Sequence, residues 1–161
     1  MALTTVRPEG LGFVNGRRNL IINGGFQCWQ RGVSQTSAGY GSVDRFQMSN
    51  STSTFTTTQQ AFTAGHTNVP NNPKYYLRCV VSSGGAAGNY VFMSQGIEGV
   101  QTGAGQTVTL SFYAKASSAL KVGISYQQIF GTSGSSTVNV NGVSKTLSTS
   151  WARYTVTTTL P

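Results

Sequence analysis

Apolar and polar residues alternate along much of this chain with a period of two. The clearest run is "TVTLSFYAK" (107–115). Val108, Leu110, Phe112 and Ala114 point one way, and Thr107, Thr109, Ser111, Tyr113 and Lys115 the other. Successive strand side chains face opposite sides of a sheet, so this spacing predicts a half-buried β-strand. "LKVGISY" (120–126) repeats it with Leu120, Val122, Ile124 and Tyr126, and "WARYTVTTTL" (151–160) sets Tyr154 and Val156 on one face. "RFQMS" (45–49), "STFTTTQQ" (53–60), "YYLRCVV" (75–81) and "YVFMSQGI" (90–97) read as further strands. "TVNVNGVSKTL" (137–147) contains Asn141-Gly142, which predicts a tight hairpin. Polar, Gly-rich stretches such as "TAGHTNVPNNP" (63–73) and "GTSGSS" (131–136) separate the runs, and no helical period of useful length occurs.

About eight short strands with one apolar face each bury those faces by packing two sheets together. The expected fold is all-β: an antiparallel jelly-roll β-sandwich over residues 19–161, preceded by an extended N-terminal arm over residues 1–18. Pro8, Gly10, Gly12 and Gly16 interrupt any period in the arm. Its spaced apolar residues and basic end make Val6, Leu11, Phe13, Arg17 and Arg18 the expected anchoring residues, docking on something else. The last apolar run reaches Pro161 with no partner after it, so the sandwich is expected to lack its last strand and to leave an edge open.

Composition agrees with strands and adds a charge pattern. Only 9% of the residues are charged, against about 25% in an ordinary soluble domain. The polar surface must therefore be built from Ser, Thr, Asn, Gln and Gly. Such a surface suits a particle outside the cell, because it leans little on ion pairs that salt screens. Eleven Lys and Arg face three acidic residues, a net charge of +8. That balance permits nucleic acid, an acidic protein surface or an anionic membrane. The only tight pair is Arg17-Arg18, and the scatter of the rest argues for an acidic protein partner over direct nucleic-acid binding. Cys28 and Cys79 sit among apolar residues and read as buried free thiols. No stretch approaches the roughly 18 apolar residues of a membrane-spanning helix, and the N-terminus lacks a signal-peptide core.

The residues give little support to catalysis. His66 is the only histidine and lies in a Gly/Asn/Pro loop, where it reads as solvated. The carboxylates are Glu9, Asp44 and Glu98; a glycosidase needs two converging in one cleft, and a calcium site needs several. Asp44 and Glu98 are expected to pair with a nearby Arg or to cap a turn. "NGG" at 23–25 lacks the glycine spacing and the following helix of a phosphate loop. No enzyme activity, cofactor or metal is expected. Rings on a polar strand face can stack on sugars; Tyr113 with Lys115, and Tyr126, are the candidate glycan contacts. Trp29 and Trp151 are expected at strand ends, plugging the sandwich.

Four blocks carry a further signal: "NLIINGGFQCWQRG" (19–32), "SVDRFQMS" (42–49), "YVFMSQGIEGV" (90–100) and "TVTLSFYAKAS" (107–117). Together they resemble the jelly-roll domain of bacteriophage virion proteins, notably tail fibres and tail-associated proteins. That domain is itself similar to galactose-binding-like carbohydrate-binding modules. The resemblance covers residues 19–160. It implies a non-enzymatic structural or adhesive virion protein, assembled in the host cytoplasm, homo-oligomeric, and attached to other tail or head proteins by its leading segment. Recognition of a host glycan, or decoration of an acidic capsid shell, are the alternatives it leaves open. It also makes "NLIINGGFQCWQRG" an opening strand, with Leu20, Ile21, Ile22 and Phe26 feeding the core, Gly24-Gly25 allowing a bend, and Arg31 facing out. Related modules place a calcium-holding Glu after this Phe; here Gln27 follows Phe26, so no calcium site is carried over.

Overall fold

The computed structural model describes residues 19–84 and 86–161. The arm residues Val6, Leu11, Phe13, Arg17 and Arg18 lie outside the described residues. The rest is all-β. In chain order the strands are β1 (Ser34–Gln35), β2 (Gln47–Asn50), β3 (Thr54–Ala61), β4 (Tyr75–Ser83), β5 (Val91–Ser94), β6 (Thr107–Ala114), β7 (Leu120–Gln128), β8 (Val138–Leu147) and β9 (Ala152–Thr159). One 3-10 turn, Val100–Thr102, precedes β6. β-Branched and aromatic residues make up most of β3, β6 and β9, as fits a pleated, half-buried surface.

All pairings between strands are antiparallel. They form a three-stranded sheet β1-β3-β4 and the pairs β2-β5, β6-β9 and β7-β8. This arrangement is consistent with a β-sandwich. The predicted alternation on β6 and β9 is present: Val108, Leu110 and Phe112 turn inward with Tyr154 and Val156, while Thr107, Thr109, Thr155 and Thr157 are exposed. The buried apolar side chains are Val43, Met48 and Phe55 (2% exposed each), Val156 (5%), and Phe46 and Leu147 (7% each). Phe26 packs on Phe46 with ring centroids 5.3 Å apart. The Tyr126 hydroxyl donates to Val156 O, tying β7 to β9.

The opening segment differs from expectation. Residues 19–32 form no strand; a turn occupies 22–25. Asn23 and Phe26 adopt positive φ, 56° and 52°, a conformation that no strand tolerates and that Asn accepts more readily than most residues. The Asn23 side chain stabilises the turn. Its Oδ1 accepts from the N–H groups of Gln27 (2.9 Å) and Cys28 (3.0 Å), and its Nδ2 donates to the carbonyls of Cys28 and Asp44 (both 3.0 Å). The bend at Gly24-Gly25 stands; Leu20, Ile21 and Phe26 are half-buried, but Ile22 is 53% exposed.

Asn141-Gly142 makes no hairpin. β8 runs through it, pairing with β7 on both sides: Val140 faces Tyr126 and Val143 faces Ile124. Ser125 therefore opposes both Asn141 and Gly142, the two-against-one geometry of a β-bulge. A Cβ at 142 would lie 3.0 Å from Ile124 O, so the close approach of the backbones favours glycine there. Cys28 and Cys79 are free, as expected, but both are exposed rather than buried. Trp29 lies in the irregular segment, not at a strand end; its indole N–H donates to Phe26 O. Trp151 does directly precede β9.

Candidate binding surface

The outer face of β6-β9 collects the groups with most binding chemistry. Register pairs Thr107 with Thr159, Thr109 with Thr157, Ser111 with Thr155 and Tyr113 with Arg153. The first two pairs bond hydroxyl to hydroxyl, at 3.0 and 2.9 Å. Arg153 Nη2 donates to Ser111 Oγ at 3.1 Å. One step beyond the strands, Lys115 Nζ stands over the Trp151 ring, 5.5 Å from its centroid. The strip thus runs from neutral hydroxyls at one end to two cations and two rings at the other. Trp151 is packed by Phe62, Tyr76 and Lys115, so Tyr113 is the ring left to stack on a sugar, with Arg153 and Lys115 able to donate to an anionic substituent.

Tyr113 and Lys115 share that face, but Tyr126 does not. Its hydroxyl points at the β9 backbone, and burial pushes its pKa up, with a hydrogen bond involving the Leu110 backbone acting the other way. Tyr126 stands on β7, in a different sheet from Tyr113, so the three candidate residues do not form one site. Period two sets Tyr126 on one face with Val122 and Ile124, which are half-buried, and with Leu120, which is 53% exposed. The contribution of Arg153 was missed because it shows only when β9 is laid antiparallel against β6 in the observed register.

An aromatic cluster adjoins the strip. Phe62 stacks on His66 at 4.0 Å and lies 5.1 Å from Trp151, and Tyr76 meets Trp151 edge-on at 5.2 Å. His66 is therefore not a solvated loop residue: the loop after β3 folds back, placing His66 Nε2 at 3.2 Å from Pro73 O and burying its Nδ1 without a hydrogen-bond partner among the described residues. These rings pack on one another and form a second small core joining β3 and β4 to β9.

Elsewhere the polar groups serve structure. Asp44 faces Arg31 at 3.7 Å and accepts from the Gln30 N–H at 3.1 Å. Arg31 projects outward, its side chain 56% exposed. Glu98 makes no ion pair among the described residues. The carboxamide of Gln27 turns back to donate to Gly25 O. Among the described residues no three His, Cys, Asp or Glu side chains gather to hold a metal, and no helix is long and apolar enough to cross a membrane. A groove of about 520 Å³, lined in part by Leu20, Ile22, Arg45, Ile97 and Glu98, opens beside Asn19. Comparison of the chain with family models, with curated proteins and with solved structures gave no match.

Proposed function

We propose that this chain is a non-enzymatic structural subunit of a bacteriophage particle. It is a tail fibre or tail-associated component with a jelly-roll sandwich, held to other virion proteins through residues 1–18 and surrounded by copies of itself. One observation carries the reading. Large apolar side chains on ordered strands are left uncovered: Val81 (51%), Phe92 (47%), Met93 (40%), Leu120 (53%) and Val143 (43%). A subunit built to be covered by neighbours would carry exposed apolar side chains on its strands, and contiguous apolar surface is what protein contacts use. The four sequence blocks quoted above supply the phage part of the proposal.

Antibody raised against residues 19–161 is expected to decorate tails of intact particles in negative-stain micrographs. A chain lacking residues 1–18 is expected to keep its circular dichroism spectrum and fail to enter particles. If purified particles do not contain the chain, the reading falls.

The strip on β6-β9 favours a second reading, an adhesive subunit that binds host surface glycan, with acidic substituents suited to Lys115 and Arg153. Under it, Tyr113→Ala particles assemble normally and lose adsorption to the host by at least tenfold. Unchanged adsorption rejects the glycan role and leaves the structural one standing.

A further inference from the structure

β4 is the outer strand of its sheet, and among the described residues no strand pairs with its free edge. From Arg78 to Ser83 every residue is exposed, with Val80 at 41% and Val81 at 51%. An open strand with apolar side chains is a template for another strand.

The direction of its unpaired backbone groups follows from the ladder. The Gln59 N–H donates to Val33 O, on the β1 side, at 2.8 Å. In an antiparallel strand a residue's N–H and C=O point the same way, and the direction alternates along the chain. Gln59 thus turns both groups away from β4, and its register partner Leu77 turns both away from β3. The Phe62 N–H donating to Lys74 O fixes the same phase from the other end. Pairing is regular from Leu77 to Val81, so Leu77, Cys79 and Val81 offer their N–H and C=O groups to the free edge. Their side chains lie on the face of Phe55 and Thr57, which are 2% and 0% exposed: the core face, covered over β3 and left open over β4.

We propose that β4 pairs antiparallel with β4 of a second copy of this chain, about a twofold axis at Cys79, with Cys79 opposite Cys79 of the partner subunit. This deepens the assembly reading above, on which it rests for the expectation of self-association, by naming the partner of one strand. The hydrogen-bonding phase requires the axis to pass through a residue, because only then do outward groups meet outward groups. Cys79 is the midpoint of Tyr75–Ser83, so this register uses the whole strand. It sets Leu77 against Val81 and Val81 against Leu77, so the core-face stripe becomes continuous across the interface. Moving the axis to Arg78 would oppose two guanidinium groups, which is unfavourable across a strand pair. Moving it to Val80 would set Leu77 against Ser83. The pattern is thus complementary to itself, as a twofold interface demands.

The test uses the full chain with Cys28→Ser, so that Cys79 is the only thiol. Directly opposed residues that exchange both hydrogen bonds have Cα atoms about 5.5 Å apart, within the range a disulfide spans. Sedimentation is expected to show a reversible dimer. Oxidation by copper phenanthroline and air is expected to join the two Cys79 thiols at least tenfold faster than in urea, and peptide mapping should find that single bond. Val81→Pro removes an edge-directed N–H and spares the β3 pairing, a position where an edge strand tolerates proline. It is expected to abolish the dimer and cut the cross-linking rate at least tenfold at an unchanged circular dichroism spectrum. A monomeric Cys28→Ser chain, cross-linking no faster than in urea, or a dimer that survives Val81→Pro in that background would overturn the proposal. Because purified protein is used, that result would leave incorporation into particles untouched.

Discussion

Phe55→Ala is expected to lower stability by about 4 kcal/mol, as large-to-small changes of a buried aromatic do. Phe55 sits near the start of β3, the central strand of its sheet, and is 2% exposed. With Val43 and Met48, also 2% exposed, it is among the least exposed large apolar side chains of the described residues. Net stabilities of domains run to about 5–15 kcal/mol, so the change removes a large share and lowers Tm by roughly 10 °C. Val81, directly opposite on β4, is the internal control. It is 51% exposed, and Val81→Ala at dilutions where the chain is monomeric should cost less than about 1 kcal/mol. Urea unfolding of the two variants decides. Equal costs would mean that the core face of β4 is covered in the isolated chain.

Gln35→Leu is expected to cost about 3 kcal/mol, although leucine matches glutamine in volume. The side chain is 7% exposed and fully used. Its Nε2 donates to Ser37 O (2.6 Å) and Gly39 O (2.8 Å), and its Oε1 accepts from the Gly41 N–H (3.2 Å) and from Ser42 Oγ (2.9 Å). Leucine would leave those groups unpaired, and Ser42 is only 1% exposed, so water reaches it poorly. The network also shapes the loop that brings Gly39 against Met48, where two backbone hydrogen bonds of 2.8 and 3.0 Å join them. Faster amide exchange at Gly39, Gly41 and Met48 should therefore accompany the loss. A cost below about 1 kcal/mol would show that the loop is held by its own backbone.

What could be read in advance was what period two controls. β6, β7 and β9 were legible because each alternates without interruption, and alternation states which face is buried. The first segment misled because its apolar residues come in a block, Leu20-Ile21-Ile22, which has no phase. Its structure is set instead by one side chain, Asn23, closing hydrogen bonds to Cys28 and to Asp44, 21 residues away. That long-range partner leaves no local mark. Gln35 is similar: a lone glutamine among polar neighbours gives no sign of burial, which arises because the loop after it wraps back. The candidate strip was half legible. Tyr113 and Lys115 follow from β6 alone, whereas Trp151 and Arg153 join them only through pairing with a strand some forty residues further on. At Asn141-Gly142 the dipeptide predicted a hairpin and was wrong: both flanks found their partners on β7 and neither on the other, and the extra residue became a bulge.

That bulge also determines how the lineage of this protein can vary in length. Upstream of it, Val138 and Val140 share a face; downstream, Val143 and Leu147 take up the same face one residue out of step. The extra residue absorbs the offset. Removing it should only restore a regular ladder, for Val140 and its successor would then alternate normally. A single-codon deletion further along β8 would rotate Leu147, 7% exposed, out of the interior and turn its polar neighbour in. Among natural variants, one-residue gains and losses in β8 should therefore collect at positions 141–142 and be purged elsewhere in the strand.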